Sequence, residues 1–223
     1  MAGRFYQIIK RFESTYGRPK APKSDPFELV LWENVAYLLS DERRAAAFEA
    51  LRRRVGLTPK AILAAPQAML FEIAKMGGMR PEVRVERLRA IARITLDQFQ
   101  GDLRIALKLP LKQAKKALQL YPSVGEPGAE KILLFTKSYP VLGLDSNGLR
   151  VLRRIGYGQE CKNYSATYHS VQEAVSGEIG DKPAPLIQAN QLLRQHGQER
   201  CKLNAPLCGI CPVTELCEYY AAL

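Results

Sequence analysis

The sequence predicts an all-α protein, and three observations carry that expectation. Apolar residues recur three or four apart along most of the chain, prolines and glycines stand where helices would begin and end, and no apolar-polar alternation is long enough for a sheet. At 223 residues, 47% hydrophobic and 25% charged, the chain suits one or two packed domains and not a disordered segment. No apolar run approaches the roughly 18 residues of a membrane helix. Arg4, Lys10, Arg11 and Glu13 interrupt anything that could be a signal-peptide core, so a soluble, intracellular chain with no membrane partner is expected.

The elements follow in order. The segment Arg18 to Pro26, RPKAPKSDP, holds three prolines and three basic residues and reads as an extended connector, the first boundary. Thr58-Pro59, Ala65-Pro66 and Arg80-Pro81 each place a proline where a first helical turn could begin, and Gly77-Gly78 could end the helix before Arg80. After Pro81, Val85, Leu88, Ala92, Leu96 and Phe99 form one apolar face, with Arg84, Arg87, Arg89 and Arg93 between them. Further on, Leu120-Tyr121-Pro122-Ser123-Val124-Gly125 links a lysine-rich amphipathic stretch, LKQAKKALQL, to a helix starting near Glu126 and Pro127. That is a helix, hairpin, helix pattern. Then Val141 to Asn147, VLGLDSN, ends an apolar run in a carboxylate just before another helix, GLRVLRRIG.

Charge narrows the function classes. The chain has 33 Lys and Arg against 22 Asp and Glu, a formal charge of +11, which favours polyanionic partners because each cation set against a phosphate releases counterions. The positive residues cluster at Arg43, Arg44 and Arg52 to Arg54, along Arg80 to Arg93, and at Lys108, Lys112, Lys115 and Lys116. Each cluster could equally be a solvated helix face. The hairpin adds a more local signal. A Pro-x-x-Gly turn opening into a helix presents unpaired amides at the positive helix end, a site for a DNA phosphate at Tyr121, Pro122, Ser123, Val124 and Gly125. The alternative is a plain interhelical turn.

Four of the five cysteines crowd the C-terminal region as Cys201, Cys208, Cys211 and Cys217, a C-x6-C-x2-C-x5-C array. Four thiolates from one short loop can complete a tetrahedral zinc site or hold a cubane iron-sulfur cluster, and spacing alone does not separate the two. Two disulfides are the remaining option, which the absence of a secretory signal argues against. Cys161 lies outside the array and reads as an ordinary thiol.

The YPSVG turn, the LDSN segment with Asp145, and the cysteine array after His196-Gly197 follow one another in an order that resembles the endonuclease III-like family of DNA glycosylases. The family is part of the helix-hairpin-helix, Gly/Pro-Asp superfamily, and the likeness reaches back to Pro26-Phe27-Glu28-Leu29. It implies two helical domains flanking a DNA-binding cleft: a six-helix barrel with the hairpin over residues 26–138, and an iron-sulfur cluster domain built from residues 1–25 and 139–223. The cysteine spacing matches the family's cluster loop at every interval, which turns the open metal assignment into a [4Fe-4S] cluster. The implied partner is double-stranded DNA containing a damaged or mismatched base, bound by a monomer in the nucleoid-associated cytoplasm. The implied activity is base excision on an extruded nucleotide.

Asp145 matches the family's catalytic aspartate, a carboxylate able to stabilise positive charge on the sugar, and it is equally suited to cap the helix near Asn147. Lyase-competent members carry a lysine two residues past the last hairpin glycine, where this chain has Pro127. Without an amine there the usual Schiff base is unavailable, so a monofunctional glycosylase is expected. Lys131, one helical turn on, is the substitute that a lyase would need. A non-catalytic DNA-binding or lesion-sensing protein on the same fold is the alternative of another class. The hairpin also has Tyr121 and Ser123 where the commoner family form has a leucine and a glycine. Counting from Pro26, the family's base-displacing position falls at Leu38, beside Tyr37, with Met79 and Arg80 as a weaker second insertion.

Overall fold

The structure, a computed structural model, describes residues 3–37 and 39–223; Leu38, the expected wedge, lies outside the described residues. Among the described residues there are α-helices and short 3-10 turns but no strand, so the all-α expectation holds. In chain order the helices are α1 (Arg4–Tyr16), α2 (Pro26–Val35), α3 (Asp41–Arg54), α4 (Pro59–Ala64), α5 (Gln67–Met76), α6 (Pro81–Phe99), α7 (Arg104–Leu107), α8 (Leu111–Leu118), α9 (Glu126–Phe135), α10 (Ser146–Ile155), α11 (Tyr164–Ser176), α12 (Pro183–Glu199) and α13 (Glu218–Ala221). No described helix is long and apolar enough to cross a membrane. The helices gather into two compact units, one of Lys23–Ser138 and one of the chain up to Pro22 together with Tyr139–Leu223.

In the unit of residues 23–138 the helices begin where the caps dictate. Asp25 accepts hydrogen bonds from the amides of Phe27 (3.0 Å) and Glu28 (3.1 Å), with Pro26 in the first turn of α2. Thr58 caps α4 through the amide of Ala61, again with a proline next. Such side-chain caps satisfy amides that a helix start leaves without a carbonyl partner. Helix α6 buries Val85, Leu88, Ala92 and Phe99 as the spacing predicts, while Leu96 is half-buried.

Arg84 departs from the pattern. It sits among the arginines expected to face water, yet it is only 5% exposed. Its Nε donates to the carbonyl of Val35 (3.0 Å), Nη1 to Met79 (3.0 Å) and Nη2 to Gly77 (2.8 Å), so one guanidinium ties the end of α2 and the α5–α6 loop to α6. Burial, with help from the neighbouring Arg87 and Arg44, lowers its pKa from the ordinary arginine value, but three carbonyl acceptors stabilise the charged form. Gly77 is needed for this approach, because a Cβ there would stand 2.0 Å from the Val35 carbonyl oxygen.

The other unit is organised by α1, α10 and α12. Phe5, Ile8, Ile9 and Phe12 of α1, spaced at three and four residues, join Leu149, Val151, Leu152 and Ile155 of α10 and Leu192 and Leu193 of α12 in one core. Arg4 of α1 donates to the carbonyls of Ile155 (2.6 Å) and Leu216 (2.8 Å), pinning the cysteine loop just before Cys217 to the helical core. Helix α12 lies close on α10, since a Cβ on Gly197 would meet both Cβ and the carbonyl oxygen of Asn147 at 2.8 Å.

Replacing Arg84 by Ala strands three carbonyls in a buried position, and we expect a loss of about 3 kcal/mol in urea unfolding. A loss under about 1 kcal/mol would mean that water satisfies those carbonyls in the variant.

Candidate functional site

The hairpin joins α8 to α9, and the unit of residues 23–138 fixes it from three sides. The Tyr121 ring is buried against Phe99, and its hydroxyl lies 2.9 Å from Thr95 Oγ1. Because Thr95 donates to the Ile91 carbonyl, Tyr121 is the donor in this pair. Burial pushes the Tyr121 phenol up to about 12, so it stays protonated at any working pH. Asn34 of α2 donates from Nδ2 to the Pro122 carbonyl (2.9 Å), and Arg87 of α6 donates to Ser123 Oγ (2.8 Å). Tyr121 and Val124 therefore point inward, and Ser123 and Gly125 are exposed. Ser123 adopts φ 61°, a left-handed conformation that suits glycine better. The acidic Glu126 at the start of α9 would repel an anion, but Lys115 donates to both Glu126 and Glu130 (2.7 Å to Glu130). Burial works against the Lys115 ammonium, and its bonds to the two carboxylates outweigh this and raise its pKa.

A cavity of about 610 Å³ opens beside the hairpin within the same unit. Its lining brings together Tyr37, Met79, Arg80, Arg87 and Ser123, which the sequence offered as separate contacts. Tyr37 and Met79 are exposed, at 61% and 70%. Arg44 also faces this cavity, which makes its wall basic.

Asp145 is the N-cap of α10. Its Oδ1 accepts from the amides of Asn147 (3.0 Å) and Gly148 (2.8 Å), while Oδ2 lies 3.1 Å from Nε of Arg194 on α12. The backbone bonds hold the carboxylate rigidly at the positive end of α10, where its negative charge is favoured. Arg150, one turn along α10, donates from Nη2 to Asn147 Oδ1 (2.8 Å) and to the Gly197 carbonyl (2.8 Å), and from Nε to the Cys201 carbonyl (2.9 Å). One arginine thus spans from the residue pair at Asp145 to the first cysteine of the array.

Cys201, Cys208, Cys211 and Cys217 line a single small cavity together with Arg154, Arg200 and His196. All four are free and partly buried; Cys161 is exposed and stands apart. Arg154 is 7% exposed, and its Nη1 lies 3.4 Å from the Cys201 sulfur. Its guanidinium sits over the Tyr219 ring at 4.5 Å and also binds the carbonyls of Lys202 and Leu203, but its Nε has no partner. His196 stacks on Phe12 at 4.1 Å, holds Tyr16 Oη through Nδ1 (2.8 Å) and places Nε2 3.6 Å from the Cys211 sulfur. Burial pushes the Cys211 and Cys217 thiols up, and the neighbouring cysteines add to the rise. Among the described residues no three His, Cys, Asp or Glu side chains converge closely enough to hold a metal ion.

The residues that sequence reasoning missed are Arg84, Arg150, Arg154, Arg194 and Asn34. Each is one polar residue within a helix with at least one partner far along the chain, and no local spacing announces that contact.

No family model matches the chain. Among curated relatives, endonuclease III of Thermotoga maritima is 26% identical over 214 residues, spanning 96% of this chain and 90% of its own length. Among solved structures, a thermostable thymine-DNA glycosylase superposes with a TM-score of 0.77 at 19% identity, covering 98% of this chain and 95% of its own. A trapped endonuclease III-DNA covalent intermediate gives 0.76 at 17% identity, covering 98% and 96%. In fold and in sequence, the chain is endonuclease III-like over nearly its whole length.

Ser123→Gly should raise thermal stability by the equivalent of up to about 1 kcal/mol, because it removes the left-handed strain. A lower melting temperature would mean that the Arg87 hydrogen bond outweighs that strain.

Proposed function

We propose that this chain is a DNA base-excision glycosylase, monofunctional, acting on a damaged or mismatched base extruded from a duplex. The observation that carries this reading is the Asp145 carboxylate, held by two amides at the start of α10 in a chain that is endonuclease III-like throughout. As the N-glycosidic bond breaks, the base leaves with the bonding electron pair and positive charge develops on the sugar. A fixed carboxylate stabilises that charge and orients the water whose oxygen bonds to the anomeric carbon; that water gives up a proton to solvent, and the departing base anion takes one from it. The basic helices α3, α6 and α8 and the cavity lined by Tyr37, Met79 and Arg80 supply the phosphate and base contacts. The exposed backbone at Ser123 and Gly125 supplies a phosphate site at the start of α9.

The absence of lyase chemistry follows from two residues. Pro127 stands in the first turn of α9 and brings no amine. Lys131 Nζ lies 2.7 Å from Glu33 Oε1, and both side chains are about four-fifths buried, at 20% and 19% exposure. That ion pair holds Nζ against Glu33, and it would have to break before the amine could attack a sugar carbon.

The four cysteines are proposed to hold a [4Fe-4S] cluster, which belongs with the structural support of the DNA-binding surface. A tetrahedral zinc draws its sulfurs to about 4 Å from one another, as 2.3 Å bonds require. In a cubane each thiolate binds a different iron and the sulfurs stand further apart. Four partly buried free thiols around one cavity supply the four ligands that such a cluster needs. Arg154 and Arg200 beside them would offset the negative charge of a thiolate-ligated cluster.

Duplexes bearing uracil, a thymine-guanine mismatch, and oxidised or alkylated bases test the activity. Base release should appear as strand breaks only after alkali, and breaks without alkali that vanish in Lys131→Ala would assign a lyase instead. Asp145→Asn should lower release at least about 100-fold with DNA binding retained. Tight, salt-dependent binding with no release on any duplex would identify a non-catalytic lesion binder. Iron and sulfide analysis of anaerobically purified protein should give about four of each per chain; stoichiometric zinc would replace the cluster assignment.

A further inference from the structure

Asp145 has two oxygens in different situations. Oδ1 is fully used in capping α10, so the oxygen left to face a sugar is Oδ2, and Oδ2 meets the guanidinium of Arg194 at 3.1 Å. We propose that Arg194 is a substrate-released clamp: it masks the open oxygen of Asp145 in the free protein, and a DNA phosphate takes the guanidinium over when substrate binds. This rests on the reading that Asp145 acts on the sugar.

Three features support it. First, the ion pair is not what positions Asp145, because the amides of Asn147 and Gly148 already fix the carboxylate. Second, a cation in contact with Oδ2 cancels much of the field that a carboxylate exerts on a developing positive charge, so the pair as it stands opposes the proposed chemistry. Third, the pair can be exchanged. Asp145 and Arg194 are 27% and 35% exposed, and an ion pair at that exposure contributes about 1 kcal/mol or less. A phosphate offers arginine a charge-assisted, bidentate alternative and releases a counterion on binding. Arg194 also donates from Nη1 to Gln198 Oε1 (3.0 Å), one turn further along α12, which steadies the guanidinium on the Asp145 side of that helix. Tyr164, whose phenol is raised by burial and by the Asp145 charge, lies in the same neighbourhood and stacks on Tyr168 at 6.2 Å.

The test separates binding from chemistry. Affinity for a duplex with a tetrahydrofuran abasic-site analogue is measured across a salt series, and single-turnover base release is measured at saturating protein on the lesion released fastest by the wild type. Arg194→Gln should weaken binding about tenfold and make the slope of log K against log salt shallower by about 0.9, one phosphate contact. At saturation the same variant should release base within about twofold of the wild-type rate, since bound DNA has already drawn the guanidinium off Oδ2 in the wild type. Arg194→Lys, which keeps the charge, should retain the wild-type salt slope. An unchanged slope in Arg194→Gln would overturn the transfer to phosphate; a clearly faster rate at saturation would mean that the pair persists in the complex, and a rate about tenfold slower that Arg194 serves the chemistry, and either would overturn the release. Asp145→Asn is run alongside: if it still releases base, the role of Asp145 fails independently of any result at Arg194.

Discussion

The close seam between α10 and α12 is the constraint on which the second unit depends. Gly197 lies against Asn147 with no room for a side chain, and that contact fixes the start of α10 against the last turn of α12. Asp145 caps the near end of α10, Arg150 and Arg154 project from the same helix, and α12 runs out shortly after Gly197 into Cys201. The carboxylate and the cysteine loop are therefore held by one packing arrangement. Arg150 makes this explicit, since its guanidinium binds Asn147, the Gly197 carbonyl and the Cys201 carbonyl at once. A half-buried arginine whose donors are spread over three acceptors transmits position well, because no acceptor can move without stranding a donor.

The hairpin in the unit of residues 23–138 is made rigid by a different device. Tyr121 turns inward to Thr95, Asn34 grips the Pro122 carbonyl, and Arg87 reaches Ser123. Where a glycine would give the turn its left-handed residue without strain, this chain uses serine and ties its hydroxyl down. Glu126, unfavourable for an anion at the start of α9, is offset by Lys115. The two departures from the commoner hairpin, Tyr121 and Ser123, are thus each met by a side chain of α6.

Much of the architecture was legible because it rests on local rules. Proline in the first turn at Pro59 and Pro81 and the three-to-four spacing along α6 depend on neighbours within a few residues, so they can be read without knowing the fold. The cysteine array and the apolar-run-then-carboxylate at Asp145 were legible for the same reason. Arg84 was not. In a helix where Arg87, Arg89 and Arg93 stay partly or fully in water, no spacing distinguishes the one arginine that the carbonyls of Val35, Gly77 and Met79 will bury.

By itself, then, the sequence determined the helices, their caps, the hairpin and the residue types able to carry chemistry, since propensity and capping act over one or two helical turns. Tertiary structure alone decided which polar groups meet: Arg194 with Asp145 across 49 positions, Arg154 with Cys201 across 47, and Tyr37 with Ser123 around one cavity. Those pairings depend on the angle and closeness at which helices pack. Small residues such as Gly77 and Gly197 permit that closeness, but the partner each will meet is set only when the whole unit folds.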